Sequence, residues 1–148
     1  MRNTKAQIFI RMFHFWCGKL DLPKTIPIIK DNRMDCYVAL DQWDTEDICL
    51  RYHSRRLGQV EEYNLIGFLF HEMGHYINKL PYNNYEQQIV SEWQAEKFSI
   101  KMMKKHYPQL FKQMIKKMKK TNYMKKLEKK DRLYYEAFMQ IKEYRGTL

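Results

Sequence analysis

The sequence predicts an α+β fold in a single compact domain, in which a small antiparallel sheet packs with an N-terminal helix and with helices of the second half. Apolar residues recur at helical spacing near the start and again after residue 59, whereas two segments between them alternate as strands do. Helices and strands thus fall into separate blocks, which is typical of α+β folds and not of a parallel sheet with crossover helices. No repeat or long linker divides residues 1–148.

Composition limits the class of protein. The chain has 148 residues, of which 45% are hydrophobic and 15% aromatic, enough for one buried core and too many for a disordered chain. Its three cysteines show no Cys-x-x-Cys spacing, so we expect buried free thiols in a reducing compartment. No apolar run suits a membrane span, and Arg11 and His14 interrupt the stretch that is superficially like a signal peptide. We therefore expect a cytoplasmic protein.

The first half of the chain contains one helix and several extended segments. The helix is predicted over residues 4–17, with Thr4 or Asn3 as its cap and Gly18 at its end. The extended segments are Thr25–Lys30, Cys36–Leu40 and Ile48–Tyr52. Pro27 confines the first of them to a sheet edge, if it forms a strand. The other two are joined by a short polar link and should pair antiparallel.

The second half is predicted to be helical throughout. Pro81 ends its first helix, and Asn84 begins the second, with Gln87 three residues later as in a capping box. Pro108 suits the first turn of a third helix, which Thr121-Asn122 interrupts. The predicted helices are Gln59–Leu80, Asn84 to about His106, one from Pro108, and a final one carrying Leu127, Tyr134, Phe138 and Ile141.

Residues 71–75 read His-Glu-Met-Gly-His, which is a metal-binding motif when it lies on a helix. His71 and His75 then project from the same side, where two imidazoles can bind one Zn2+. Glu72 lies one step round the helix and can act as general base on a water molecule that the metal activates. The histidines lie nearly opposite the apolar stripe of their helix, so we expect them to line a cleft.

The next predicted helix offers the third protein ligand that a catalytic zinc site usually has. Glu92 and Glu96 are one turn apart, and Ala95 between them would let the two helices approach closely. We assign Glu92 as the third ligand. Glu96 is expected to accept the other ring N–H of His71 or His75 and not to touch the metal.

These motifs resemble those of a known family. His-Glu-Met-Gly-His, followed 17 residues after His75 by Glu-x-x-Ala-Glu, is similar to the gluzincin arrangement. The longer pattern Glu-x-Gln-Ala-Glu-x-Phe narrows the resemblance to the ImmA/IrrE family of small intracellular metallopeptidases, over roughly residues 35–103. That resemblance implies a zinc endopeptidase, often one that cleaves a transcriptional repressor of a phage or mobile element. Glu96, where Asp or Asn is usual, and Ser99, where Ala is commoner, depart from the family.

The group that would stabilise an oxyanion is left open. The candidates are Tyr82, Tyr85, Tyr123, Tyr134 and Tyr135. His106 would lie about 21 Å along a continuous helix from Glu92, too far to help. The same distance makes it a poor third ligand for an SprT-like protease, which uses a histidine in place of the glutamate. An extended substrate could add to the edge of the sheet.

Positive charge is concentrated in the helical part over about residues 107–148. The net charge is +10, and residues 101–148 hold 15 of the 27 Lys and Arg with only four acidic residues. Lys112–Lys130 form either a solvated face, a surface for an acidic protein or nucleic acid, or a membrane-surface contact. A second function class therefore stays open: a metallopeptidase-like binding protein that contacts a regulator or nucleic acid without proteolysis.

Overall fold

Helices and strands follow one another in the predicted α+β order. The computed structural model of the chain describes residues 4–148. In that range the elements are α1 (Lys5–Lys19), β1 (Ile28–Lys30), β2 (Val38–Asp41), β3 (Cys49–Tyr52), α2 (Ser54–Leu57), α3 (Glu62–Asn78), α4 (Tyr85–His106), α5 (Pro108–Lys120), α6 (Tyr123–Lys130), α7 (Arg132–Phe138) and α8 (Lys142–Arg145). Helix α3 is central, because it packs against α1, β2, α4 and α5.

Helix α1 begins with a complete capping box. The Thr4 hydroxyl accepts the Gln7 N–H at 3.1 Å, and the Gln7 side chain accepts the Thr4 N–H at 2.8 Å. Thr4 is thus the cap, while Asn3, the other predicted cap, lies outside the described residues. The helix continues through Gly18 to Lys19, slightly beyond its predicted end.

The sheet is mixed, with strand order β1-β3-β2. Strands β2 and β3 pair antiparallel as predicted, with Leu40 opposite Leu50. Strand β1 lies at the other edge, as Pro27 predicted, but it runs parallel to β3. The chain reverses direction between β1 and β2 and again between β2 and β3, so β1 and β3 point the same way. The sequence analysis predicted the antiparallel pair and an edge position for β1, and the parallel pairing of β1 is an addition to it.

Helix α3 is shorter than predicted at both ends. It begins at Glu62 instead of Gln59 and ends at Asn78, where Lys79 takes a left-handed conformation (φ 50°). The residues before it contain the short helix α2, which the sequence reasoning missed. Its cap is the buried His53, whose Nδ1 accepts the Arg56 N–H at 3.1 Å. Nothing in the apolar periodicity indicates a four-residue helix of this kind.

The C-terminal part forms more helices than predicted. Asn84 caps α4 as expected, since its side chain accepts the Gln87 N–H at 2.9 Å. The predicted final helix is instead three helices, α6, α7 and α8. Asp131 divides the first two, because its side chain accepts the Tyr134 N–H at 3.2 Å and so starts a new helix.

The cysteine prediction holds for one residue of three. Cys17 is fully buried, and burial raises the pKa of its thiol to about 11. Cys49 is partly buried and Cys36 exposed, which corrects the expectation that all three are buried. All three are free thiols.

None of the helices within residues 4–148 combines the length and apolar character that crossing a membrane requires.

Candidate metal centre

Three predicted ligand residues lie together between α3 and α4. The Nε2 atoms of His71 and His75 lie 3.0 and 2.9 Å from the same atom, Oε1 of Glu92. The candidate ligand atoms of the three residues all lie within 4.8 Å of one another, and all three side chains are buried. Two imidazole nitrogens and one carboxylate oxygen therefore converge on one point, a donor set that suits a metal ion.

Two small residues allow the helices to come this close. A Cβ added to Gly74 would lie 2.8 Å from the Ala95 carbonyl oxygen and 2.9 Å from its Cα. One turn away, the Ser99 hydroxyl donates to the Gly67 carbonyl at 2.9 Å. The close approach predicted from Ala95 is present, and it requires a glycine at position 74.

The histidines do not line an open cleft, contrary to the sequence prediction. His71, Glu72, His75 and Glu92 are between 2% and 8% exposed. The side of α3 opposite its apolar stripe packs against α4 instead of facing solvent. Two surface cavities, of about 760 and 470 Å3, include none of these four residues in their linings. The amphipathic pattern of α3 could not predict that its polar side is buried. Gly67 and Gly74 lie on that side and are buried themselves, but a glycine does not indicate by its hydropathy whether it faces solvent.

Ser91 and Trp43 hold the His75 ring in addition to Glu92. Its Nδ1 lies 3.2 Å from the Ser91 hydroxyl, which can accept the ring N–H and leave the Nε2 lone pair free for a ligand. The indole of Trp43 stacks on the ring, with centroids 4.5 Å apart and planes 16° from parallel. Trp43 is itself fixed by donating its Nε1–H to the Leu80 carbonyl at 3.0 Å. Sequence reasoning missed Ser91 and Trp43; Ser91 precedes Glu92 directly, whereas Trp43 carries no local signal.

The second nitrogen of His71 faces Glu96. Nδ1 of His71 lies 3.6 Å from Oε2 of Glu96, an ion-pair distance that is longer than a hydrogen bond. Glu96 is absent from the group of converging ligand atoms. The position agrees with an outer role for Glu96, and its contact is looser than the hydrogen bond that was predicted.

The Glu72 side chain is hydrogen-bonded to the sheet. Its Oε2 accepts the Leu40 N–H of edge strand β2 at 2.7 Å. Burial raises the pKa of Glu72, and the neighbouring His75 and His71 oppose that rise without cancelling it. A carboxyl group with a raised pKa takes up a proton more readily near neutral pH, which is a property that a general base requires.

The buried charges of His71 and Glu92 stabilise each other. Burial lowers the pKa of His71, but the carboxylates of Glu92 and Glu96 outweigh it, so the pKa lies well above its ordinary value. Burial likewise raises the pKa of Glu92, but hydrogen bonds from His71 and His75 outweigh it and the net pKa is lowered. Without a metal, the pair therefore favours a protonated His71 beside an ionised Glu92.

Tyrosines separate into two groups around this site. The Tyr82 hydroxyl donates to Oε2 of Glu92 at 3.1 Å, so it leaves Oε1 for the histidines. Burial raises the pKa of Tyr134, and the charges of Glu92 and Glu72 raise it further. Tyr85 is exposed and donates to a glutamate of α7 at 3.1 Å.

Three further candidate side chains lie away from the converging atoms. Tyr123 is exposed, and burial of its hydroxyl raises its pKa to about 12. Tyr135 contacts Arg132 through its ring. His106 stacks against Trp16, with ring centroids 4.7 Å apart, at the far end of α4. Among residues 4–148, the converging ligand atoms come from His71, His75 and Glu92 and not from His106, the ligand that an SprT-like site would need.

The comparisons with known proteins add no relative. No protein-family model, no curated protein and no solved structure matches this chain. The resemblance to the ImmA/IrrE family accordingly stays a prediction that depends on the residues of the two motifs.

Proposed function

We propose that this chain is a zinc-dependent endopeptidase. The observation that carries the proposal is the convergence of His71 Nε2 and His75 Nε2 on Oε1 of Glu92, at 3.0 and 2.9 Å. Glu72, which directly follows His71 on the same helix, is also buried. Nitrogen and oxygen donors in this number are typical of catalytic zinc sites, which keep a further position for water or substrate. The chain's own sequence supplies all of these groups within 22 residues.

His71, His75 and Glu92 would hold the ion. When bound, zinc supplies Lewis acidity, which polarises a carbonyl group and makes a water molecule more acidic. Glu72 accepts a proton from the attacking water and then donates it to the leaving amine. Its raised pKa supports both steps, because the same carboxyl must gain and lose a proton near neutral pH. Tyr82, which donates to Glu92, and Tyr134, whose pKa responds to the charges of Glu92 and Glu72, are the candidate groups for stabilising the developing oxyanion.

A protein substrate fits the position of Glu72 beside a sheet edge. The Leu40 N–H points out of the sheet edge, since it donates to Glu72 and not to β3. An extended peptide that adds to this edge would place its backbone next to the general base. That the substrate is a transcriptional repressor of a phage or mobile element depends on the family resemblance alone.

The Glu72→Gln variant tests the proposal directly. Loaded with zinc, the wild-type protein should release peptides from fluorescein-labelled casein, whereas Glu72→Gln should lose at least about 100-fold in rate because it removes the base. The variant keeps all three ligands, so it should still bind about one zinc per chain, as measured by metal analysis after dialysis. Equal cleavage by the variant and the wild type would contradict the assigned role of Glu72.

A ligand series tests the zinc site independently of activity. His71→Ala, His75→Ala and Glu92→Ala should each abolish stoichiometric zinc binding. Glu96→Gln keeps an acceptor oxygen and should weaken zinc binding about 10–100-fold. Full zinc retention by Glu92→Ala would remove Glu92 from the ligand set.

Burial of the site favours the second candidate, a metallopeptidase-like binding protein. His71, Glu72, His75 and Glu92 are all less than about a tenth exposed, so a peptide reaches them only if a covering side chain moves. If the protein acts by contact alone, Glu72→Gln should retain full biological activity with zinc bound. The same variant therefore separates the two functions.

A further inference from the structure

A strongly basic surface covers α5 and α6, outside the candidate metal centre. Residues 108–130 contain nine lysines, one glutamate and no arginine, a net charge of +8 out of the +10 of the whole chain. All nine lysines are exposed: Lys112, Lys116, Lys117, Lys119, Lys120, Lys125, Lys126, Lys129 and Lys130. We call them the α5–α6 lysine surface.

These lysines are not neutralised by the protein itself. Within residues 4–148, none of the nine forms an ion pair with a carboxylate. The single acidic residue of the two helices, Glu128, faces Arg132 at 3.7 Å. By contrast, Lys104 on α4 pairs with Glu143 at 3.3 Å. The α5–α6 lysine surface therefore presents its full charge to solvent.

Packing orders the lysines on the outward side of each helix. Met114 and Met118 of α5, and Met124 and Leu127 of α6, are buried and attach the two helices to the core. At about 100° per residue, Lys112, Lys116, Lys119 and Lys120 fall within one arc of about 100°, away from the buried methionines. The charges are thus held on a structured face.

We propose that the α5–α6 lysine surface binds the phosphate backbone of duplex nucleic acid, without sequence preference. An acidic protein would need an apolar contact core, where lysine is depleted. Tyr123, 39% exposed, is the only exposed large apolar side chain between residues 108 and 130. The same scarcity disfavours membrane insertion, which needs an apolar face, and single strands, which stack on aromatic side chains.

The chemistry of lysine also fits backbone binding. Lysine acts as a point charge toward phosphate, whereas bidentate recognition by a planar guanidinium fork needs arginine, which residues 108–130 lack. Binding should therefore depend on charge and salt, and hardly on sequence. This inference goes beyond the proposed peptidase function and does not depend on it, because the surface contains none of the metal ligands.

The test measures binding of the full chain to a fluorescein-labelled 30-base-pair DNA duplex at 50–200 mM salt. We expect a steep linear fall of log K with log salt, since each neutralised phosphate releases counterions. A triple variant, Lys112→Gln/Lys116→Gln/Lys120→Gln, should reduce that slope by about three, roughly one for each lysine. Removing zinc with a chelator should leave binding unchanged.

A matched control removes the same charge elsewhere. Lys24→Gln/Lys30→Gln/Lys97→Gln neutralises three exposed lysines outside α5 and α6 and should change the slope by less than about one. Equal losses in both variants would show that net charge alone acts and would overturn the assignment to this surface. So would absence of duplex binding at 50 mM salt, or binding of polyglutamate or phosphatidylserine vesicles in preference to DNA.

Discussion

The helix pairs α3–α4 and α5–α6 both carry many ionisable residues, but the first pair buries several of them and the second exposes its lysines. In α3–α4, His71, Glu72, His75 and Glu92 are buried, and each has a named polar partner. In α5–α6, every lysine is exposed and none has an acidic partner within the described part of the chain, residues 4–148. One pair thus uses charge to assemble a site inside the protein, and the other displays it to solvent.

This difference teaches where charge costs stability. A charge buried without a partner is expensive, so the α3–α4 charges must be matched within the protein or by a metal. An exposed lysine costs little, because water solvates it. Substitutions of the buried charged residues in α3–α4 should therefore change both function and stability. Substitutions of the exposed lysines in α5–α6 should change function with little effect on stability.

The largest expected effect comes from breaking the buried group. In the metal-free protein, Glu92→Ala should lower the free energy of unfolding by about 3–5 kcal/mol, because it leaves His71 and His75 without their shared acceptor. Glu128→Ala, which removes an exposed glutamate of α6, should cost under about 1 kcal/mol. Urea unfolding followed by far-UV circular dichroism compares them. Similar losses in both variants would erase the contrast between the helix pairs.

A smaller effect is expected from the helix contact. Gly74→Ala should cost about 1–3 kcal/mol, since the new Cβ meets backbone atoms of Ala95 that cannot move aside alone. The matched control is Gly67→Ala on the same helix. There a Cβ would lie 3.7 Å from the flexible Met103 side chain, so helix propensity should make the change neutral or stabilising by up to about 1 kcal/mol. Thermal unfolding should show a lower midpoint for Gly74→Ala and an equal or higher one for Gly67→Ala; a destabilised Gly67→Ala would contradict the packing argument.

The smallest effect concerns pH. The folded metal-free protein has a raised pKa at His71, so this group contributes stability below its unfolded pKa of about 6.5 and loses it as pH rises through the folded value. Stability should therefore decline above about pH 6.5, and His71→Gln should flatten the decline. Zinc requires neutral imidazoles, so zinc-loaded protein should show the reverse trend. Unfolding midpoints between pH 6 and 9 decide this, and a rise in the metal-free protein would refute it.

Much of the fold was predictable because its signals are local. The caps Thr4 and Asn84 act on backbone groups three residues away, within the same short stretch of sequence. The antiparallel pairing of β2 and β3 followed from their short connection. The sequence analysis missed the parallel pairing of β1, because strand direction depends on the whole path of the chain. It also missed the division of the last helix at Asp131, because the apolar periodicity continues past this N-cap residue.

For the candidate site, the sequence by itself determined which side chains share a helix face: His71 with His75, and Glu92 with Glu96, through the four-residue spacing that every α-helix obeys. Only the tertiary structure decided that these faces meet and exclude water. It brought Leu40 to Glu72, Trp43 to His75 and Tyr82 to Glu92. The physical reason is that a helical period records a direction around one axis, whereas burial and hydrogen bonding depend on which other element occupies that direction.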